Sequence, residues 1–161
     1  MWSPPDTGNV KINFDGSVIN NSTTSGFVFR DHNSRTLFTA ARKIGDASVP
    51  VAEALALRYS LLLARDRGFR HIEVEGDSKL VIGAVNGNVK FPWKLRSLIQ
   101  DIKTIANNFE VVVFKHVLRD ANFVANAIAS VGHSCTNDVI WNDFVPNEAC
   151  NAFFFYIVNV G

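Results

Sequence analysis

The order of the predicted secondary-structure elements constrains the fold of this chain more than any other feature. Three apolar segments follow one another at 11–17, 26–30 and 35–42, and the polar and turn-forming residues between them predict three antiparallel strands. From Pro50 onward the pattern changes to helices that alternate with strands. This order predicts an α/β domain with a mixed five-stranded sheet, three antiparallel strands followed by parallel ones, and helices on both faces.

The second half of the pattern contains predicted helices and two further predicted strands. The helices are expected where residues that favour helices run without a breaker, at 51–67, 79–85, 93–107 and about 122–131. The strands are expected at 71–75 and 110–116. The unbroken apolar centre of 110–116 predicts a strand that is buried on both sides.

The length of 161 residues fits one domain, which we place at 10–132. Residues 1–9 contain two adjacent prolines and are expected to form an extended lead-in, which can be the scar of an excision from a longer polyprotein. Residues 133–161 have no clear period and are expected to be a C-terminal tail that is packed on the domain or partly disordered. We expect a monomeric domain.

Composition limits the classes of partner. The formal net charge of +1 does not indicate a polyanion partner, so any binding of nucleic acid must rest on local arrangement or on metal ions. Cys135 and Cys150 form no CxxC pair, which argues against a zinc site and favours a reducing, intracellular setting, nuclear or cytoplasmic. The apolar run at 152–158 is too short to cross a bilayer, and no apolar leader is present, so no membrane association is expected.

Asp15 is the first candidate for a metal ligand. It ends the first predicted strand, where side chains alternate so that Ile12 and Phe14 face one side and Asp15 faces the other. Gly16 leaves room beside the carboxylate, and Ser17 adds a small hydrogen-bonding group. The alternative interpretation is an ordinary turn, which Asp-Gly pairs often form.

Two further carboxylates, Glu53 and Asp77, occupy comparable places. Glu53 lies in the first turn of the longest predicted helix on its apolar side, and Asp77 follows a predicted strand. As single residues, Glu53 can complement the helix dipole and Asp77 can cap the next helix. Taken with Asp15, they are expected to converge, because the strand ends of one sheet meet at a common edge. Clustered carboxylates repel one another unless cations neutralise them, so the set predicts Mg²⁺ or Mn²⁺ and, with two ions about 4 Å apart, phosphodiester cleavage.

Four blocks of the sequence resemble, in the same order, those of the ribonuclease H domain family. They are Asn13-Phe-Asp-Gly-Ser17, Ala52-Glu-Ala-Leu-Ala56, Val74-Glu-Gly-Asp-Ser78 and the block from His116 to Ala129. The sequence is most similar to the reverse-transcriptase-like form of plant retroelements and their relatives. The resemblance implies a ribonuclease H-like fold and metal-dependent cleavage of the RNA strand of RNA–DNA hybrids. It also implies two Mg²⁺ ions, for which Mn²⁺ can substitute.

The resemblance implies a role for each matching residue. Asp15, Glu53 and Asp77 match three of the family's four acidic metal ligands, and His116 matches a loop histidine that assists proton transfer or product departure. At the fourth position this chain has Asn126, whose carbonyl oxygen can still bind a metal but which removes one negative charge. We therefore expect weakened or lost cleavage. The alternative function is a catalytically inactive nucleic-acid-binding domain derived from a ribonuclease H.

Substrate contacts are expected from small polar groups near the metal ligands, because these can reach the 2′-hydroxyls that distinguish RNA from DNA. The candidates are Gly16, Ser17, Ser78 and Asn122. Each of them has an alternative role in a turn or a helix cap.

Three further positions have mixed interpretations. The segment 90–96 combines three cations with two aromatic residues and can follow a phosphate backbone, whereas its Trp93 can instead anchor the next helix. Arg119 matches a structural position of the family. Asp120 is interpreted as a cap or a favourable charge at the start of the last helix.

Overall fold

The computed structural model of the chain describes residues 1–146. Within this part the strands are β1 (Val10–Ile19), β2 (Ser22–Arg30), β3 (Thr36–Ile44), β4 (His71–Gly76), β5 (Val111–His116) and β6 (Val139–Asn142). The helices are α1 (Val49–Asp66), α2 (Lys79–Val85), α3 (Arg96–Ala106) and α4 (Phe123–Gly132). Two short 3-10 helices, Trp93–Leu95 and Arg119–Asn122, precede α3 and α4.

The strands form one mixed sheet in the order β5-β4-β1-β2-β3-β6. β1, β2, β3 and β6 pair antiparallel, whereas β4 pairs parallel with both β1 and β5. The central strand β1 therefore joins the antiparallel and the parallel halves of the sheet. The predicted fold class, with three antiparallel strands followed by parallel ones, is confirmed.

Alternation along β1 divides the interior into two layers. Ile12 and Phe14 lie on one face, in a large core formed with apolar residues of α1, α2 and α3. On the other face a smaller core joins Val28 and Ala41 to residues of α4. Asn13 and Asp15 point to this second face, so the polar residues of β1 lie on the side that α4 covers.

The sheet has six strands where five were predicted. β6 pairs antiparallel with β3, with Ala40 opposite Ile140 and Thr39 opposite Trp141. The sequence signal for β6 is weak because the strand has only four residues and lies at an edge. The start of the predicted tail is therefore paired with the sheet.

The polar run at 18–25 is strand rather than a connecting loop. β1 continues to Ile19 and β2 begins at Ser22, so the turn needs only two residues, and Asn20 adopts a φ of 53° there. Thr23, Thr24 and Ser25 in this run are buried, and Thr24 donates to the main-chain oxygen of Ala129 on α4. Buried hydroxyl side chains give no apolar alternation in the sequence, so the strand is not visible there.

The prediction that strand 110–116 is buried on both sides is wrong. β5 is an edge strand, and Val111 and Val113 are 41% and 49% exposed. Val112 and Phe114 face the larger core, so only one side is covered. An apolar run does not distinguish a central strand from an edge strand whose second face is open.

The lead-in packs on the sheet through Trp2. Its indole ring lies 3.8 Å from the guanidinium of Arg30, and its Nε1–H donates to Asn13 Oδ1 at 3.0 Å. Lys11 Nζ donates to the main-chain oxygen of Ser3 at 2.7 Å and pairs with Glu75 at 3.0 Å. The lead-in thus covers a buried polar network at the start of β1.

Some predictions concern residues outside 1–146. They are the predictions for residues 147–161 of the tail, which include Cys150 and the apolar run at 152–158. The division into 1–9, 10–132 and 133–161 stays a prediction. Among the residues that the structure describes, no helix combines the length and apolar character needed to cross a bilayer.

Candidate metal centre

Asp15, Glu53 and Asp77 meet at one place on the sheet. Each offers a carboxylate oxygen, and these oxygens all lie within 4.8 Å of one another. Asp15 lies on the central strand β1, Glu53 on α1 and Asp77 just after β4. Asp15 and Glu53 are only 5% and 7% exposed, whereas Asp77 is half-buried. Hard oxygen donors in this number and spacing fit a divalent cation such as Mg²⁺ or Mn²⁺.

Glu53 reaches Asp15 because α1 approaches β1 closely at Gly16. A Cβ at Gly16 would lie 2.7 Å from the main-chain carbon of Ala52, so a larger residue would push the helix away. The Gly16 N–H donates to Glu53 Oε2 at 3.3 Å. Gly16 therefore positions a predicted metal ligand through its own backbone.

Glu53 does not lie in the first turn of its helix, contrary to the prediction. α1 begins at Val49, with Ser48 as N-cap, because Pro50 is compatible with the first turn of a helix. Glu53 consequently lies one turn further along, on the buried side. A dipole-complementing role at an exposed first turn does not fit this position.

Asp77 does not cap the helix that follows it. Ser78 is the N-cap of α2, and its Oγ accepts a hydrogen bond from the Val81 N–H at 3.3 Å. The Asp77 carboxylate remains available to face Asp15 and Glu53. Ser78, predicted to contact substrate, thus has a structural bond in this protein.

The electrostatics of the cluster show the effect of like charges in a buried place. The pKa of Asp15 is raised to about 7, first by burial and then by the charge of Asp77. A hydrogen bond with Glu53 is the largest opposing influence on the pKa of Asp15, followed by the charge of Arg119. The pKa of Glu53 is raised to about 10, first by burial and then by the charge of Asp15. Without a cation the cluster therefore retains protons at neutral pH.

Asn126 presents its amide nitrogen, not its oxygen, to the acids. Asn126 Nδ2 donates to Asp77 Oδ2 at 3.1 Å and to the main-chain oxygen of Asn122 at 3.2 Å. Its two N–H groups are both used, so the side chain is held in this direction. The predicted contact of the Asn126 oxygen with a metal requires the amide to turn and both bonds to break.

Gly26 allows α4 to pack close to β2 beside the site. This role was not identified from the sequence. Gly26 pairs with Asp15 across β1 and β2, and a Cβ on it would lie 2.3 Å from the main-chain nitrogen of Ala129. α4 therefore rests directly on the backbone of β2, which carries Asn126 towards Asp77. An isolated glycine within a strand pattern is the signal that indicates such a close approach.

Asn122 lies inside the protein and does not face a substrate. It is 1% exposed, its Nδ2 donates to the main-chain oxygen of Phe14 at 2.8 Å, and its Oδ1 accepts from Asn13 Nδ2 at 3.1 Å. The predicted substrate contact is therefore wrong for this side chain. Asn122 instead fixes the start of α4 against β1, and Asn13 was overlooked as its partner.

The remaining predicted residues lie around the acids. His116 is half-buried at the end of β5, opposite Gly76 and thus next to the strand end that carries Asp77. Ser17 lies two residues beyond Asp15 on the same face of β1, and its Oγ is 2.9 Å from His133 Nε2. His133 carries no sequence signal that would have identified it.

For Asp120 and for Trp93, the structure contradicts one of the two interpretations drawn from the sequence. Asp120 lies in the 3-10 helix before α4, where Asn122 is the N-cap, so Asp120 does not cap α4. Trp93 is 84% exposed and does not anchor α3, whereas Leu95, 1% exposed, does. Lys90, Lys94 and Arg96 are exposed in the same segment.

The mixed sheet, the helices on its two faces and the three convergent acids define a protein with the ribonuclease H fold. Ribonuclease H1 of Halobacterium salinarum is 29% identical to this chain with a TM-score of 0.75, over 78% of this chain and 98% of that one. LC11 ribonuclease H1, isolated from compost and solved in complex with an RNA/DNA hybrid, is 26% identical with a TM-score of 0.70, over 78% of this chain and 96% of that one.

The family model described as reverse transcriptase-like matches residues 13–132. The chain therefore belongs to the reverse-transcriptase-like family of ribonuclease H domains, as the four sequence blocks indicated. A putative ribonuclease H protein of Arabidopsis thaliana is 28% identical over 148 residues, which is 91% of this chain and 24% of that protein. The chain thus spans about a quarter of the length of this relative.

Proposed function

We propose that this chain is a metal-dependent endonuclease that cleaves the RNA strand of RNA–DNA hybrids. The proposal depends on one observation, the convergence of Asp15, Glu53 and Asp77 within 4.8 Å. Carboxylates that are buried together are unfavourable unless cations or protons neutralise them, so the cluster is best explained as a cation site. LC11 ribonuclease H1, which has a similar fold, was solved with an RNA/DNA hybrid.

Asp15, Glu53 and Asp77 would hold Mg²⁺ or Mn²⁺ as the cofactor. Such ions, when bound, activate water and stabilise the leaving oxygen of a phosphodiester. The chain contributes rigid positions for the ligands, since Asp15 lies on the central strand and Glu53 is held by the Gly16 N–H. Asp77 is held by Asn126. Such fixed geometry lowers the cost of assembling the metal site.

His116 is the proposed residue for proton transfer or product departure. It lies at the end of β5 beside the strand end that leads to Asp77, and its partial exposure leaves the ring accessible to a substrate. An imidazole has one nitrogen that can accept a proton and one that can donate a proton, which is the chemistry that general acid–base catalysis requires. Its position outside the acid cluster fits a role in moving protons rather than in binding the metal.

The segment 90–96, through its exposed cations and Trp93, is the proposed contact for the nucleic-acid backbone. Trp93 is 84% exposed, and cations flank it on both sides. Exposed aromatic rings stack on bases or sugars, and neighbouring lysine and arginine side chains neutralise phosphates. A protein with a net charge of only +1 needs such a local concentration of positive charge.

A second candidate function is a nucleic-acid-binding domain without catalytic activity. The observation that favours it is the hydrogen bond from Asn126 Nδ2 to Asp77 Oδ2, which occupies one oxygen of a proposed ligand. Asn126 also leaves the site with one negative charge fewer than four acids would give it. Such a site binds a second cation less tightly. In this case the chain would bind hybrids but leave the RNA strand intact.

A cleavage assay separates the two candidates. A labelled RNA–DNA hybrid is incubated with the protein in Mg²⁺ or Mn²⁺, alongside duplex DNA and duplex RNA. The proposal predicts cuts in the RNA strand of the hybrid that Asp77→Asn abolishes and that Asp120→Asn, a change at an exposed acid outside the cluster, retains. Binding of the hybrid without cleavage in either metal would establish the second candidate instead.

A further inference from the structure

His133 joins three hydroxyl groups next to the acid cluster. It is the C-cap residue of α4, and its Nδ1 lies 2.8 Å from Ser22 Oγ. Its Nε2 lies 2.9 Å from Ser17 Oγ and 3.4 Å from Thr24 Oγ1. The ring therefore connects the end of α4 to both strands of the β1–β2 hairpin.

The hydrogen bonds of Thr24 determine which ring nitrogen carries the proton. The Thr24 hydroxyl donates its single proton to the main-chain oxygen of Ala129 at 2.5 Å, so towards His133 it can only accept. A proton on Nε2 lets the ring donate towards both Thr24 and Ser17, whereas a proton on Nδ1 would leave Nε2 and Thr24 Oγ1 facing each other as two acceptors, so the proton is assigned to Nε2. Burial, followed by the charge of Lys43, lowers the pKa of His133, which is consistent with a neutral ring whose Nδ1 accepts from Ser22.

This direction leaves the proton of Ser17 pointing away from His133. Ser17 Oγ accepts from Nε2, and among residues 1–146 no acceptor receives the Ser17 O–H. Ser17 is half-buried and lies on the same face of β1 as Asp15, two residues further on, which is about 7 Å along a strand. The chain thus presents a hydroxyl donor beside the proposed cleavage site.

We infer that His133 is a positioning residue that orients the Ser17 hydroxyl to donate a hydrogen bond to a backbone oxygen of the RNA strand. The bonds run in one direction, from the Ser22 O–H to His133 Nδ1, from the His133 Nε2–H to Ser17 Oγ, and from the Ser17 O–H to the substrate. Aligned hydrogen bonds polarise one another, so each strengthens the next. The inference rests on the proposed function, since it concerns the substrate side of the same site.

A double-mutant cycle on hybrid binding tests the inference. Ser17→Ala, His133→Phe and the double variant are compared with the wild type in Kd, measured with Ca²⁺, and in KM and kcat, measured with Mg²⁺ or Mn²⁺. Each single change is expected to weaken binding about 3- to 10-fold and to leave kcat nearly unchanged, because one neutral hydrogen bond is lost. The double variant is expected to bind no more weakly than Ser17→Ala, and His133→Gln, which keeps an N–H donor, to recover part of the loss.

Substrate changes identify the oxygen that accepts. Hybrids that carry one 2′-deoxy residue or one methylphosphonate linkage are compared with the unmodified hybrid. One such change is expected to weaken binding by the wild type and to have no effect on Ser17→Ala or His133→Phe. A response to the 2′-deoxy residue assigns a ribose hydroxyl, and a response to the methylphosphonate assigns a phosphate oxygen.

Two results would overturn the inference while the proposed function stands. The first is an independent, multiplicative loss in the double variant, which would mean that His133 does not act through Ser17. The second is a wild type that binds the hybrid but responds to none of the single substrate changes. If His133→Phe does not fold, His133→Gln and Ser22→Ala replace it in the comparison of hybrid affinity with the wild type and Ser17→Ala. A wild type that fails to bind any hybrid contradicts the proposed function instead.

Discussion

Asn126 donates its side-chain amide to Asp77 Oδ2 at 3.1 Å, at the position on α4 where the family resemblance places a fourth acid. The same amide is held by the main-chain oxygen of Asn122, one helical turn earlier. The amide nitrogen therefore serves as a neutral hydrogen-bond donor to Asp77 and relieves part of the repulsion among the acids. This arrangement supports the three carboxylates but reduces the charge available to a second cation.

Asn126→Asp is expected to strengthen metal binding and cleavage together. A fourth carboxylate beside Asp77 adds an oxygen ligand and one negative charge, so we expect Mg²⁺ affinity to rise about tenfold, equivalent to ~1.4 kcal/mol. In the absence of metal the same change should lower the melting temperature, because a hydrogen bond becomes a like-charge contact. Calorimetric titration, melting curves and cleavage rates measure the three effects.

The matched control for this change is Ser130→Asp, which adds the same charge one turn further along α4 at an exposed position. Unaltered Mg²⁺ affinity and an unaltered rate in Asn126→Asp would show that this position does not contribute to the metal site.

The metal-free protein is expected to lose stability as the pH rises from 5 to 8. The folded-state pKa values of Asp15 and Glu53 are raised to about 7 and about 10, whereas unfolded carboxyls titrate near roughly 4. Between these values the folded state holds protons that the unfolded state has released, so the free energy of unfolding falls with pH. The slope is at most about 1.4 kcal/mol per pH unit for each proton retained.

Mg²⁺ should reduce this loss, because the cation replaces the protons on the carboxylates. Glu53→Gln should also flatten the pH dependence, since it removes one buried titrating group. Denaturant unfolding at several pH values, with EDTA or with Mg²⁺, provides the measurement. A stability that rises with pH in EDTA between pH 5 and pH 8 would contradict the electrostatic account of the cluster.

Gly26→Ala is expected to lower the free energy of unfolding by about 3 kcal/mol or more. The added methyl group would lie 2.3 Å from the main-chain nitrogen of Ala129, so α4 must move away from β2. Gly45→Ala is the control, because a Cβ there meets nothing within 4 Å. Equal effects of the two changes on denaturant unfolding would show that α4 does not rest on the backbone of β2.

Trp93→Ala is expected to weaken hybrid binding by about fivefold or more without loss of stability. Stacking of a base on an aromatic ring contributes about 1–3 kcal/mol, and the 84% exposure of Trp93 means that little packing is lost. Phe144→Ala removes an exposed aromatic residue beyond β6, at the other edge of the sheet, and serves as the control. Fluorescence anisotropy with a labelled hybrid should separate the two variants, and equal affinities would exclude the segment around Trp93 from binding.

The fold was predictable because its signals are local. Alternation of Ile12 and Phe14 with Asn13 and Asp15 gave the two faces of β1, and the order of strands and helices gave the mixed sheet. β6 was not predicted because a strand of four residues at the edge of a sheet shows too short an alternation of apolar and polar residues. The edge position of β5 was not predicted either, since an apolar composition does not indicate which neighbours cover a strand.

The acidic cluster was predictable because Asp15 and Asp77 each lie two residues beyond the segments of β1 and β4 that pair in parallel, Val10–Asn13 and Ile72–Glu75. The direction of the Asn126 amide was not, because it depends on bonds to Asp77, 49 residues away in sequence, and on the close contact of α4 with β2. The contact of His133 with Ser17 spans 116 residues and likewise follows only from tertiary packing.

Crystals soaked in Mn²⁺ and measured at the manganese absorption edge show directly whether the three acids share a cation. Anomalous density is expected at coordination distance from oxygens of Asp15, Glu53 and Asp77 together, and it should be lost in Asp15→Asn. Density for Mn²⁺ elsewhere, or none at these carboxylates in crystals grown above pH 7, would contradict the joint binding of a divalent cation by the three acids.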